Sequence, residues 1–537
     1  MCYQDLVKWD RLVLFASGLA LIGFVSVGYV LRPGGASLEV PVSRPPNVLV
    51  IDIDTLSYDH VGVQKNGVTT TPHIDALAER GVRFTHAFSH SGWTLPALSA
   101  SFSGRLSVPV RMEGGGNSWR QPGTRDFAEI LSYYGYHNTA FWGSTLMREM
   151  ASSISSGFAS HSASRSADQA MSTPSSAGFS PPTQQVLDFL GGAPQEPFLA
   201  FVHDIDLHRA LAFDTVDADD PLADASAWAG GQQYLDIYRT LAAEKGAAEA
   251  QAAVIAHYDR MVSKYDERVG QMLTALDKAG LSDHTVIVVT SDHGDDFFLH
   301  ADVDHGLLYD STTRIPLILV DPRASVNGAV VDDVVQSVDL APTLLELAGI
   351  QPDAQMDGRS LTSYLGYRAA KYTSRPVFSL SDACHASWRE GGLKLILRDR
   401  AAGRVAWHPA TEDPAQVLSV LPFLDARQLT DVTLPLCTSL QRGGQGAAVS
   451  VGERAFLELY DLEADPDEQR SVAPDRPDDV ARLLRKLLAT LNTYSGAQGT
   501  TGGTTGTPYT SEQVQAMKAQ GYWGFVAPPD AAGDKPQ

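Results

Sequence analysis

PPNVLVIDID, residues 45–54, is the stretch on which the fold turns. Two prolines close off whatever precedes it. Val48 to Ile51 then run without a polar interruption, the pattern of a strand buried on both faces of a parallel sheet. The run ends in Asp52 and Asp54, at the carboxyl end where open α/β sheets collect their ligands. The same design returns in QEPFLAFVHDID, residues 195–206, and in TVIVVTSDHG, residues 285–294. Each is an apolar run that delivers Asp and His at its carboxyl end.

Helical patterns separate these strands. TPHIDALAERGVRF, residues 71–84, has Thr71-Pro72 at its start and Gly81 at its stop. DFAEILSYYGYHNTAFWG, residues 126–143, reads as helix, turn and strand, and residues 248–280 as a long helix. RIPLILVDP, residues 314–322, is a further strand, and the Ser/Ala/Gly-rich residues 152–180 read as a loop. The alternation predicts an α/β fold: a mostly parallel sheet with helices on both faces. From about residue 367 the character changes. PVFSLSDA, LKLILRD and FLELYDLEAD are short, antiparallel-looking strands, followed by a helix over 477–491. The chain therefore divides into a main unit over 47–366 and a smaller C-terminal α+β subdomain over 367–495. A Gly/Thr-rich linker (496–508) and a terminal helix and tail (509–537) follow.

Of 537 residues, 44% are hydrophobic and 19% charged, as in a globular chain. A net charge of −22 argues against nucleic acid as a partner. After a short flank (1–11), LVLFASGLALIGFVSVGYVL, residues 12–31, holds no charged residue. Its twenty residues suffice to span about 30 Å of bilayer core. A signal peptide is the rival reading, though its apolar core usually has only about 7–15 residues. Residues 32–46 form a Gly/Pro-rich linker. Lys8 and Arg11 before the span balance Arg32 and Arg44 after it, so flanking charge does not set its direction. The expectation is a cytoplasmic flank, a membrane anchor and an exported main unit, periplasmic or extracellular. Of the three cysteines, Cys384 and Cys437 either pair or stay isolated thiols, Cys2 precedes the span, and none has zinc-finger spacing.

Three strand ends carry metal-capable side chains: Asp54, then Asp206 with His208, then Asp292 with His293. One such Asp is an ordinary cap, but repetition on three strands points to one crevice. The mixture suits zinc or manganese, or calcium or magnesium where oxygen ligands dominate. SGWTLPALSASFSGR, residues 91–105, adds Thr94 two positions before Pro96. Such a threonine suits a helix N-cap. A hydroxyl at a helix N-terminus, held on a divalent metal, also suits a nucleophile. Both readings stand.

Several blocks, in order, resemble those of the sulfatase family of the alkaline phosphatase superfamily. They are NVLVIDIDTLSYDHVG, TTPHIDALAERGVRFTHAFS, TLPALSASFSGR, TVIVVTSDHGD, HGLLYDSTTRIPLIL and VQSVDLAPTLLELAGI. ELYDLEADPDEQRSVA and EQVQAMKAQGY resemble its C-terminal blocks. The resemblance implies an alkaline-phosphatase-like fold and a divalent-metal site drawn from Asp54, Asp292, His293, Thr94 and Asp206. Where the family often has a second Asp, this chain has Thr55; Asp52 reads either as a substitute ligand or as a polar strand residue. Thr94 stands where the family's cysteine is oxidised to formylglycine, and Leu98 where its supporting arginine stands. Threonine has no thiol to oxidise, so formylglycine chemistry is not expected. Threonine does serve as nucleophile in phosphodiesterases and phosphoglycol transferases of the superfamily.

His305 falls where sulfatases often carry a lysine against the sulfate, and His208 matches a histidine that often contacts the transferred group. Both are candidate catalytic residues for binding the anion or protonating the leaving oxygen. Asp206 and His203 either support the ligands or build a second metal site, and His300 is a further candidate. A lysine often found after the third strand is replaced by Phe141-Trp142-Gly143-Ser144. The expected function is a metal-dependent hydrolase or transferase of phosphate or sulfate esters, lipid- or glycan-linked, with phosphoester chemistry foremost. The alternatives are a sulfatase working without formylglycine and a catalytically silent, membrane-anchored binding protein.

Overall fold

The computed structural model describes residues 44–65, 68–106, 110–111, 117–118, 123–143, 147–148, 151, 154–163, 181–208, 234–300, 305–367, 371–381, 385–399 and 455–496. The expected membrane span (12–31), the three cysteines, the 496–508 linker beyond Gly496 and the terminal helix lie outside these residues. Among the described residues no helix is long and apolar enough to cross a membrane.

Eight strands form the main sheet: β1 (Asn47–Ile53), β2 (Val82–Phe88), β3 (His137–Trp142), β4 (Ser160–Ala163), β5 (Phe198–Asp204), β6 (Thr285–Thr290), β7 (Arg314–Val320) and β8 (Ala329–Gln336). Their spatial order is β8-β2-β7-β6-β1-β5-β3-β4. All run in one direction except β7, which is antiparallel to β6 and β2. The sheet is mostly parallel, as the alternation of elements predicts. The link from β6 to β7 is spent on the loop after Asp292 instead of a crossover helix, so β7 returns antiparallel. The 152–180 stretch, read as a loop, contributes β4, a four-residue edge strand that needs only one partner, β3.

Side-chain parity divides the core. Val48 and Val50 enter one apolar cluster, with Leu199, Phe201, Val286 and Val288. Leu49, Ile51 and Ile53 enter the other, with Ala200, Val202, Ile287 and Val289. The first face is covered by α2 (Thr94–Ser103), α3 (Phe127–Tyr133) and a helix over Leu340–Leu347; the second by α1 (Pro72–Ala78) and helices over Pro181–Gly191 and Ala247–Lys278. Every residue of β1 is buried. Each such aliphatic side chain contributes about 1.5–3 kcal/mol relative to exposure, which fits the unbroken apolar run Val48–Ile51 between Asn47 and Asp52.

A second sheet of four antiparallel strands follows: β9 (Val377–Ser381), β10 (His385–Glu390), β11 (Leu393–Asp399) and β12 (Ala455–Asp461), with a helix over Pro477–Gly496 packed on it. This sheet clamps the loop before β7. Ser381 Oγ donates to the Gly306 carbonyl at 2.7 Å, and Arg398 bonds Tyr309 Oη at 2.8 Å. Lys394 Nζ, buried, lies 2.7 Å from Asp310 Oδ1 and 3.0 Å from Glu468 Oε1. Burial would lift the Asp310 carboxyl, but Lys394 and Arg389 outweigh it and hold it low.

Glu468 is left the weaker share of the lysine. Burial lifts its carboxyl to about 7, with Lys394 opposing and Asp310 adding to the rise. A carboxyl raised on folding stabilises the fold fully below its unfolded value of about 4.5 and loses that contribution as pH rises through about 7. Replacing Glu468→Gln should therefore flatten the part of the stability–pH curve lying between those values. Urea unfolding at pH 5 and 7.5 checks this; an unchanged pH dependence would mean that Glu468 is ionised throughout.

Candidate active site

Parallel register brings three strand ends to one level. Asp52 of β1 pairs with His203 of β5 and with Thr290 of β6. Asp52 follows Val48 and Val50 in parity, His203 follows Leu199 and Phe201, and Thr290 follows Val286 and Val288. All three therefore face the side on which α2 packs. Asp54, Ser291 and Asp292 continue beyond the strand ends into the same buried space.

Helix α2 is buried along its whole length, and Thr94 is its first residue, after Trp93 at the N-cap. The cap makes no side-chain hydrogen bond. Thr94 is fully buried, and its Oγ1 lies 3.3 Å from His293 Nε2. The hydroxyl thus points into the strand-end crevice and not back onto the helix amides. Leu98, one turn on, packs in the apolar core. Gly92 precedes the helix in close contact with the loop that carries His305: its carbonyl accepts from Gly306 N at 2.8 Å.

One ligand atom from each of Asp54, His203 and Asp292 lies within 4.8 Å of the others. His293 Nε2 sits 3.6 Å from Asp54 Oδ1 and 3.5 Å from Asp292 Oδ2. Its Nδ1, 2.9 Å from the Gly294 carbonyl, can only donate there, so the neutral ring keeps its lone pair on Nε2. All four side chains are essentially inaccessible. Burial pushes the His293 ring down to about 4. Asp292 is driven well above its ordinary range by burial and by the charges of Asp54 and Asp52. Burial would raise Asp54 too, but the imidazoles of His208, His203 and His293 hold it low. Among the described residues, His203 Nε2 and Asp292 Oδ2 have no hydrogen-bond partner. Carboxylates and imidazole lone pairs converging in one buried space fit a divalent cation.

His305 and His208 join the same site. The His305 ring stacks on His293 at 5.0 Å between centroids, and His208 meets His305 edge-on at 4.7 Å. Asp206 is placed elsewhere: its carboxylate pairs with Arg268 of the Ala247–Lys278 helix. His300 pairs with Asp296 at 2.6 Å and the Asp467 carbonyl at 2.9 Å, stacked on Tyr309, and so ties two loops together. Asp52 accepts from His203 Nδ1 at 2.8 Å. It supports the neighbouring imidazole, and the signal for that role is the strand register, which a single strand read alone does not display.

Thr55 adopts φ +61°, unusual for a β-branched residue. Three contacts hold it there: its hydroxyl donates to the Asp54 carbonyl at 2.7 Å, its amide reaches Asp292 Oδ1 at 3.4 Å, and its carbonyl accepts from Tyr258 at 2.7 Å. A cavity of about 510 Å³, lined by His60, His86, Arg314, Arg389 and Glu468 among others, lies beside the loop after His293 and contains none of the clustered residues.

Comparison with known proteins gives the family and the fold. The family model described as Sulfatase matches residues 46–350, more than half of the chain. Arylsulfatase K of Xenopus laevis is 28% identical over 232 residues, which cover 43% of this chain and 36% of the relative. The chain thus spans about a third of that relative's length. The solved structure of a 2-O GAG sulfatase superposes with a TM-score of 0.59 at 20% identity, covering 84% of this chain and 93% of the other. The phosphonate monoester hydrolase of Agrobacterium radiobacter does so with a TM-score of 0.56 at 19% identity, covering 83% and 95%. The structural likenesses establish the fold, and the family model, matched over more than half of the chain, establishes that the chain belongs to the sulfatase family.

Proposed function

We propose that the protein is a metal-dependent ester hydrolase in which Thr94 is the nucleophile, with phosphate or phosphonate esters as its foremost substrates. One observation carries this reading. The Thr94 hydroxyl is fully buried at the first turn of α2 and lies 3.3 Å from the His293 nitrogen, inside the carboxylate–imidazole cluster. The capping position is taken by Trp93, so the N-cap expectation for Thr94 does not hold and its hydroxyl is left to the cluster.

Asp54, Asp292 and His293 would hold the cation, with Thr94 beside them. Bound there, a divalent ion lowers the pKa of a coordinated hydroxyl and offsets charge on a tetrahedral anion. The chain's own groups do the rest. Thr94 gives its proton to the His305–His208 imidazole pair and attacks in line, displacing the leaving oxygen. His305 or His208 gives a proton to the leaving oxygen, both rings being close enough to the same space to serve. The positive end of the α2 dipole favours the developing negative charge beside Thr94. Threonine carries a single oxygen on Cβ, so a group transferred to it leaves only by a second attack at the central atom, by water or an alcohol. Phosphorus accommodates two successive in-line displacements, which favours phosphorus esters. Replacement of an arginine by Leu98 and of a lysine by the buried Trp142 region removes cations that a sulfate pocket would use.

Sulfate-ester hydrolysis without formylglycine is the second reading. It is supported by the family itself and by relatives named as sulfatases, the glycan-directed ones among them suggesting a sulfated sugar. The uncharged segment 12–31 supports a membrane-anchored enzyme whose catalytic unit is exported.

Replacing Thr94→Ala should lower turnover at least about 10³-fold while leaving the melting temperature and bound metal nearly unchanged. Side-by-side assays on aryl phosphate, phosphodiester, phosphonate and sulfate esters check this, and mass spectrometry of a quenched reaction should find the transferred group on Thr94. Full activity in the alanine variant would end the proposal; turnover of sulfate esters alone would select the second reading. Gly92→Ala probes the His305 side. A Cβ there would lie 2.2 Å from the Leu307 carbonyl oxygen, so the loop must retreat. A displacement of about 1 Å should reduce kcat roughly 10²-fold with the fold retained, measured on the best ester of the same panel.

A further inference from the structure

We propose that His203 is a nitrogen ligand of the divalent ion and that Asp52 is the residue that positions it, giving the site a preference for zinc over calcium. This deepens the metal-centre reading above and rests on it, but its observations do not involve Thr94.

The His203 side chain is fully buried, and its two ring nitrogens have unequal surroundings. Nδ1 lies 2.8 Å from Asp52 Oδ2. A carboxylate at that nitrogen holds a ring proton there and fixes the ring plane, so that the neutral ring presents its Nε2 lone pair to a cation. Nε2 has no hydrogen-bond partner, and its near neighbour is another acceptor, Asp54 Oδ2 at 3.6 Å. A ligand atom of Asp292 is within 4.8 Å as well. A lone pair aimed at carboxylate oxygens in a dry space is repelled by them, and a cation between them satisfies all three.

The surroundings leave His203 little freedom to do anything else. Its backbone is locked in register opposite Asp52, its ring stacks against Phe201 at 6.4 Å, and Trp142 closes the edge at 5.8 Å. Thr55 does not compete for the place, since its hydroxyl is committed to the Asp54 carbonyl. With His293 opposite, two imidazoles stand beside two carboxylates. Calcium takes about six to eight oxygen ligands, whereas imidazole with carboxylate suits zinc.

The full chain, stripped by a chelator and reloaded, tests this without any turnover assay. Calorimetric titration should show zinc binding more tightly than calcium. In the manganese-loaded protein, electron spin-echo envelope modulation should detect two imidazole nitrogens. Asp52→Asn should weaken zinc about 10–100-fold and leave calcium nearly unchanged. His203→Gln should weaken zinc at least as much and leave one imidazole nitrogen. Calcium binding tighter than zinc, or His203→Gln with zinc affinity and both nitrogens intact, would overturn the proposal. Should His203→Gln not fold, Asp52→Asn decides, and an unchanged zinc affinity in that variant overturns it equally. Loss of activity in Thr94→Ala bears on the nucleophile alone, so the two readings fail separately.

Discussion

The structure depends on one register. Because β1 lies parallel to both β5 and β6, Asp52 stands level with His203 on one side and Thr290 on the other. Parallel strands that end together leave their next residues in one shared space, and alternation puts those of equal parity on one face. A slip of one residue in either pairing would turn His203 or Asp292 toward the opposite cluster of the core. The apolar residues buried on both faces of β1 are what prevent that slip. The stability of the sheet and the assembly of the site are therefore the same fact.

The crevice so formed is electrostatically unbalanced by itself. Asp54 is held low by three imidazoles, while Asp292 is pushed well above its usual range by burial and by Asp54 and Asp52. These side chains are buried, so bulk solvent does little to relieve the imbalance. The second sheet completes the enclosure from the other side. It grips the loop from Gly306 to Asp310 through Ser381, Arg398 and Lys394, and that loop presents His305 to His293. The C-terminal strands thus shape the site without supplying a residue to the cluster.

Much of this was legible before folding. The continuous apolar runs read as buried parallel strands, and the strand-end positions of Asp54, Asp292 and His293 pointed to one crevice. Thr94 stood out through its place before Pro96. Other features were not legible. Asp206 and His203 lie three residues apart on the same strand end, yet Arg268 on a distant helix draws Asp206 away while Asp52 draws His203 in. His300, a further candidate by type, is taken by Asp296 and Tyr309. The antiparallel course of β7 was hidden as well, because an apolar run carries no mark of its direction.

The sequence by itself determined the α/β class, the family and the identity of the residue that enters the crevice from α2. These follow from local patterns: runs of apolar residues, the order of motifs, and a threonine where a thiol would be needed for formylglycine. Only the tertiary structure decided which histidines and carboxylates share that crevice and which are spent on pairing helices and loops. The physical reason is that a side chain's partner is set by strand register and by what packs across the sheet. Both are contacts between residues some 150 to 240 positions apart, and no local pattern encodes them.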